Sequence, residues 1–251
     1  MVRRLPWSDM VLEALAQGRI RAAYQPIVTL KTPRAVVGEE ALARLVTTEG
    51  TVVPADTFIT EAHEAGLVPA LDEVVITQTL HRCAAWSGPP RLYFINVSAA
   101  LLTAHNRLAA LIRAVTPCGA LIPGNSRWGS IVLEITEREL LNDLPRVRDA
   151  LAPLLAAGVR LALDDFGSGY SSFLYLADLP VHFLKIEQAL IMRLGRDRRV
   201  TLMVGAVARM AADLDITVIA EGIESALVAR EARALGIPLG QGYYFGRPGF
   251  D

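Results

Sequence analysis

The chain has 251 residues, 52% of them apolar and 20% charged, with a formal net charge of −1. That composition folds and the length suits one large core. The near-neutral balance excludes a general nucleic-acid-coating surface, but not a small phosphorylated ligand whose charge bound metals offset. Cys83 and Cys118 form neither a disulfide framework nor a zinc knuckle, residues 1–10 lack the apolar centre of a signal peptide, and Arg209 interrupts the apolar stretch 200–212. A soluble, cytoplasmic chain with no membrane partner is therefore expected.

In chain order, Ser8 or Asp9 is placed to cap a helix that runs to Gln17 and is ended by Gly18. Residues 22–30 read as a strand containing Tyr24-Gln25-Pro26-Ile27, irregular or at an edge where Pro26 withholds a donor. Residues 35–42 read as a second strand that runs into Glu40-Ala41-Leu42-Ala43-Arg44. The short link through Pro33 predicts that the two are antiparallel. Helices are predicted over 56–65, stopped by Gly66, and over 69–86, with Pro69 near the start.

From there strands and helices alternate. Strands are predicted over 91–97, 131–135, 159–163, 181–186, 216–220 and 237–245. Helices follow Ser98, fill the region up to Gly158, begin near Ser171, and cover 199–214 and 225–235, with Gly236 as the last stop. Residues 117–130 read as a surface loop. Short connections and the lack of a repeat predict one parallel α/β domain over residues 1–251, with 1–21 as a helical lead-in. Strands that are apolar throughout need cover on both faces. A barrel and an open doubly wound sheet both meet that need, and the lack of a glycine-rich first turn favours the barrel.

The densest chemistry is Asp164-Asp165-Phe166-Gly167-Ser168-Gly169-Tyr170-Ser171-Ser172, where an apolar strand runs into two adjacent carboxylates and a turn with two glycines. Adjacent aspartates repel unless cations or protons separate them, so this is either a metal site or an Asx-type turn closing a strand. Polar residues recur at or near the other strand ends: Glu40, Asn96, Glu134, Lys185, Glu221 and Gln241. In a barrel those ends converge on one face. Each residue alone has a plainer reading as a surface acid, turn residue or structural ion pair, but converging carboxylates need cations. Hard oxygen donors suit Mg²⁺ or Mn²⁺, and two such ions could activate a water for attack on a phosphodiester. His63, His81, His105 and His182 show no metal-ligand spacing, and Ser168, Ser171 and Ser172 lack a His–acid relay.

The set Tyr24-Gln25-Pro26-Ile27, Glu40-Ala41-Leu42-Ala43-Arg44, Asn96-Val97-Ser98, Leu133-Glu134-Ile135-Thr136-Glu137, Asp164-Asp165, Leu184-Lys185-Ile186, Ala220-Glu221-Gly222-Ile223-Glu224 and Gln241-Gly242-Tyr243 resembles the EAL domain family, phosphodiesterases of cyclic di-GMP. The resemblance covers residues 22–248. It implies a modified TIM-type (β/α)8 barrel whose first strand is antiparallel. It implies that Glu40, Asn96, Glu134 and Asp164 ligate one metal, that Asp164, Asp165 and Glu221 hold a second, and that Lys185 orients the attacking water. Gln25, Arg44 and Gln241 are implied as substrate contacts, with Arg44 on phosphate, and Glu137 as the residue steadying the glycine turn.

Hydrolysis of cyclic di-GMP to linear 5′-pGpG with two Mg²⁺ or Mn²⁺ ions is the expectation, with Ca²⁺ inhibitory. The competing readings are a catalytically silent cyclic di-GMP receptor acting through a protein partner, and an unrelated divalent-metal barrel enzyme. Departures from the family pattern are Ser168 for Thr, Glu187 for Asp after Lys185-Ile186, and a longer 117–130 segment. No sensor or cyclase domain is expected beside the predicted barrel, so control is expected from a separate regulatory protein, a homodimer or substrate supply.

Overall fold

A computed structural model describes residues 6–31, 34–104, 107, 109, 131–140, 144–156, 158–167 and 173–250. Among the described residues nine strands form one sheet: β1 (Ile20–Thr29), β2 (Val36–Val46), β3 (Val52–Pro54), β4 (Leu92–Asn96), β5 (Ile131–Thr136), β6 (Arg160–Phe166), β7 (Phe183–Ile186), β8 (Thr217–Ala220) and β9 (Leu239–Gln241). Their order is β1-β9-β8-β7-β6-β5-β4-β2-β3, and β1 also pairs with β2. That pairing closes eight strands into a barrel and leaves β3 outside, on the end of β2. β1 is antiparallel to both neighbours, whereas the pairs from β2–β4 round to β8–β9 are parallel. This is the modified (β/α)8 barrel expected from the sequence.

Helices cover the outside. Trp7–Ala16 packs Val11 and Ala14 against Ile20, Leu45, Phe58, Ala62 and Leu71. Val68–Ala85 lies on β1, β2 and β4, and Arg198–Asp213 on β8. Ser98, Asp197 and Ser225 cap the helices that follow them, each side-chain oxygen accepting from a backbone N–H.

Several local expectations change. The first helix is not capped by Ser8 or Asp9, which lie inside it. Its exposed N–H groups are met by Glu61 Oε2, 2.7 Å from Trp7 N and 3.4 Å from Ser8 N. Pro26 keeps to expectation: it lies inside β1 at an irregular point, where β9 pairs only from Ile27 onward and the β2 register slips between Ile27 and Val28. The last strand ends at Gln241 and does not reach 245, because Gly242 turns the chain with φ 150° against the Ile223 backbone. Ser168, the segments 168–172 and 117–130, Cys118 and His105 lie outside the described residues.

The barrel interior is layered by the two-residue period of a strand. Ile27, Phe94, Val132, Ala162, Phe183, Ile219 and Leu239 form one apolar cluster. Phe94 and Phe183 meet edge to face there, with centroids 5.0 Å apart. Gly38 completes the ring: a Cβ there would come 3.2 Å from Phe94 Cε2 and 2.9 Å from the Leu92 carbonyl. This layer is the floor on which the polar residues stand.

Candidate active site

Two residues above that floor, each strand presents a polar group. Val132 is followed by Glu134, Ala162 by Asp164, Phe183 by Lys185, Ile219 by Glu221, Leu239 by Gln241, Phe94 by Asn96 and Gly38 by Glu40. β1 runs the opposite way, so its polar residue, Gln25, precedes Ile27. The same alternation therefore builds a dry layer and, one step toward the C-terminal ends, a polar one.

Lys185 stands at the centre. Its Nζ lies 2.8 Å from Glu221 Oε1, 2.9 Å from Glu134 Oε1, 3.3 Å from Glu40 Oε1 and 3.4 Å from Asp164 Oδ1, and the side chain is 1% exposed. Burial alone would lower the lysine pKa, but Asp164, Glu134, Glu221 and Glu40 outweigh it and hold the ammonium well above its ordinary value. The acids are less well served. Burial pushes the Glu134 carboxyl well above the usual range, and Glu40 adds to the rise against the pull of Lys185. Burial likewise raises Asp164 and Asp165 and takes Glu221 to about 8, with Lys185 pulling the other way. Glu40 is the exception: burial raises it, but Lys185 and the Gln241 amide together hold it below its ordinary value.

Glu40 is fixed at both oxygens. Oε1 accepts from Asn96 Nδ2 at 3.1 Å and Oε2 from Gln241 Nε2 at 2.5 Å. Asp165 is held in the left-handed region, φ 56°, with its backbone N–H on Asp164 Oδ1 at 2.8 Å. A non-glycine residue there carries about 1–3 kcal/mol of strain, a feature found at functional sites. Arg44 is four residues past Glu40 on the same face of β2, about 13 Å along it at strand rise. That puts it on the rim, half-buried, with Nη1 donating to the Ala43 carbonyl at 2.8 Å. Glu137 opens the helix after β5 and is wholly buried.

The donor set fits divalent cations. Four carboxylates, Glu40, Glu134, Asp164 and Glu221, face the ammonium of Lys185, and the exposed Asp165 adds a fifth beside Asp164 and Glu221. Glu134 is fully buried, yet its Oε2 has no hydrogen-bond donor among the described residues. Oxygens of Asp164, Asp165 and Glu221 lie within 4.8 Å of one another. All are hard oxygen ligands of the kind that Mg²⁺ and Mn²⁺ take.

Two cavities flank the acids. One, of about 220 Å³, is bounded by Gln25, Glu40, Glu221, Gln241 and Tyr243. The other, of about 290 Å³, is bounded by Leu71, Asp72, Asn96, Ser98 and Glu134. Asp72 was not singled out by the sequence. Its Oδ2 accepts from Ser98 N at 2.9 Å and Ser98 Oγ at 2.6 Å, and burial pushes its carboxyl to about 6. No local pattern ties Asp72 to Ser98, so only the fold reveals the pair.

The fold and site thus define an eight-stranded α/β barrel with an acid cluster and a central lysine at its C-terminal mouth, a donor set that suits divalent cations. The chain belongs to the EAL domain family, which it matches over residues 8–248. It is 32% identical over 243 residues to the signaling protein YkoW of Bacillus subtilis, covering 96% of this chain and 30% of that protein. It is 31% identical to the bifunctional diguanylate cyclase/cyclic di-GMP phosphodiesterase MucR of Pseudomonas aeruginosa, covering 94% of this chain and 34% of that one. The MucR phosphodiesterase in complex with cyclic di-GMP superposes with a TM-score of 0.84 at 29% identity, covering 97% of each chain. A manganese/cyclic di-GMP complex of BlrP1 from Klebsiella pneumoniae superposes with a TM-score of 0.78 at 27% identity, covering 92% of this chain and 56% of that one. The chain thus spans about a third of the length of its curated relatives. Among the described residues no helix is long and apolar enough to cross a membrane.

Proposed function

We propose that this chain hydrolyses cyclic di-GMP to linear 5′-pGpG with two divalent cations. The observation that carries the reading is the convergence of four carboxylates on Lys185, with Asp165 beside them, between two cavities. That arrangement suits a ligand with two nucleosides and a phosphodiester between them. Glu40, Asn96, Glu134 and Asp164 would hold one cation, and Asp164, Asp165 and Glu221 the other. Bound there, the cations supply Lewis-acid charge to the phosphate and lower the pKa of a water.

The chain's own groups do the rest. Arg44 on the rim takes the non-bridging phosphate oxygens, for which the guanidinium fork is suited. Lys185 and Glu221 orient the water, whose oxygen bonds to phosphorus as the bond to the ribose O3′ breaks. The apolar layer beneath closes the site from below and excludes competing water. Glu137 is assigned to holding the turn after Asp165.

The likenesses to MucR and BlrP1, both seen with cyclic di-GMP, support this substrate class. The test compares Glu221→Ala with Arg44→Ala. The first should lose at least about a hundredfold in rate, the scale of one acid–base or electrostatic group, and still bind cyclic di-GMP. The second should weaken binding and turnover together. Full turnover in Glu221→Ala would remove Glu221 from the chemistry.

A further inference from the structure

The segment after β9 runs back along β1. Tyr24 N donates to Gly249 O at 2.6 Å and Gly249 N to Tyr24 O at 3.0 Å. Where the segment crosses Pro26 it carries Gly246, at which a Cβ would come 2.8 Å from Pro26 Cγ and 3.2 Å from its Cδ. A proline ring cannot swing aside as a long side chain can. Glycine therefore lets the backbone settle on the ring, and the Gly246 carbonyl reaches Gln25 Nε2 at 3.1 Å. Gln25 Oε1 accepts from Gln241 Nε2 at 3.1 Å, and the same Nε2 donates to Glu40 Oε2 at 2.5 Å.

This chain of bonds has one polarity. A carbonyl can only accept, so Gln25 must turn its NH2 toward Gly246 and its oxygen toward Gln241. Gln241 must then turn its NH2 toward Gln25 and Glu40. Its buried Oε1 is left with no donor among the described residues. Both amide ends of Gln25 are thus engaged inside the protein, and the residue is 8% exposed.

We propose that Gln25 is a positioning residue that acts through Gln241 on Glu40, and that the Gly246 carbonyl sets its direction. The proposal rests on the metal-dependent hydrolysis inferred above, because Glu40 is there assigned to a cation. A group that orients a metal ligand shows in metal affinity and kcat, whereas a substrate contact shows in KM.

The experiment uses the full chain, its Gln25→Ala, Gln25→Glu and Gly246→Ala variants, and the Gln25→Ala/Gly246→Ala pair. Mn²⁺ affinity is measured by calorimetry with the metal alone, and kcat and KM for cyclic di-GMP at saturating metal. Gln25→Ala and Gly246→Ala should each lower Mn²⁺ affinity and kcat, by up to about tenfold, the low end for an outer-shell partner because both act on Glu40 through Gln241, with KM little changed. Gln25→Glu, which places an acceptor against the Gly246 carbonyl, should do at least the same. The double variant should be no worse than Gln25→Ala, because the glycine acts through the glutamine.

A raised KM with kcat and Mn²⁺ affinity unchanged would make Gln25 a substrate contact and overturn the proposal. Additive losses in the double variant would reduce Gly246 to packing and overturn its part. If Gly246→Ala does not fold, the two Gln25 variants still decide between positioning and substrate contact. If the wild type does not turn over cyclic di-GMP, the hydrolysis reading fails but the Mn²⁺ titrations still decide the relay.

Discussion

Replacing Lys185 with methionine would keep most of the side-chain length and remove the one ammonium from the acids. Four carboxylate oxygens lie 2.8–3.4 Å from its Nζ, in a site where Lys185 is 1% exposed. Deleting one partner of a buried ion pair costs about 3–5 kcal/mol, because the remaining charge is uncompensated. For a chain of this length each kcal/mol moves Tm by about 2–4 °C, so the variant should melt roughly 6–20 °C lower. That comparison belongs at pH 8 in a chelator, by scanning calorimetry.

The gap should narrow as pH falls. Burial lifts Glu221 to about 8 and raises Glu134, Asp164 and Asp165, so protons can take the place of the ammonium. Saturating Mg²⁺ should also narrow it, by giving the acids another cation. Equal melting of wild type and Lys185→Met at pH 8 in chelator would refute the picture of acids held together by one lysine.

The same acids give a pH sign for metal binding. Their folded pKa values lie above the unfolded ones, so the folded state keeps protons that the unfolded state releases. Stability of the metal-free protein should fall as pH rises from about 4 to the Glu221 value of about 8, and the Tm gain on adding Mg²⁺ should be larger at pH 8 than at pH 6. An equal gain at both would contradict it. Asp165 is raised first by burial and, against the pull of Lys185, further by Glu187, which stands where the family usually has Asp. Glu187→Asp draws that charge back and should raise turnover; an unchanged or lower rate would mean that the surrounding residues have adapted to glutamate. Ca²⁺ takes looser coordination than Mg²⁺, so it should bind the acids, compete with Mg²⁺ and support little turnover; full activity in Ca²⁺ alone would contradict the two-cation reading.

Most of the site was legible because a strand has a period of two. Once Phe183-Leu184-Lys185 or Val132-Leu133-Glu134 is read as a strand, the polar residue and the apolar one two positions before it share a face, and parallel strands bring such ends together. What was not legible depends on groups far apart in the chain. Local capping rules favour Ser8 or Asp9, but the cap comes from Glu61, 53 residues after Ser8. Residues 237–245 look like one strand until the Gly242 turn against Ile223 cuts it short. Pro26 suggested irregularity, yet not that a C-terminal segment would lie on its ring. Asp72 reads as one more helix acid until Ser98 is placed beside it.

The most direct measurement is incubation of the wild-type chain with cyclic di-GMP and Mg²⁺ or Mn²⁺, with a chelator control, followed by mass spectrometry of the product. The account predicts linear 5′-pGpG, heavier than the substrate by one water, in either metal and none with the chelator. Tight binding of cyclic di-GMP with no linear product in either metal would contradict it and leave a receptor in place of an enzyme.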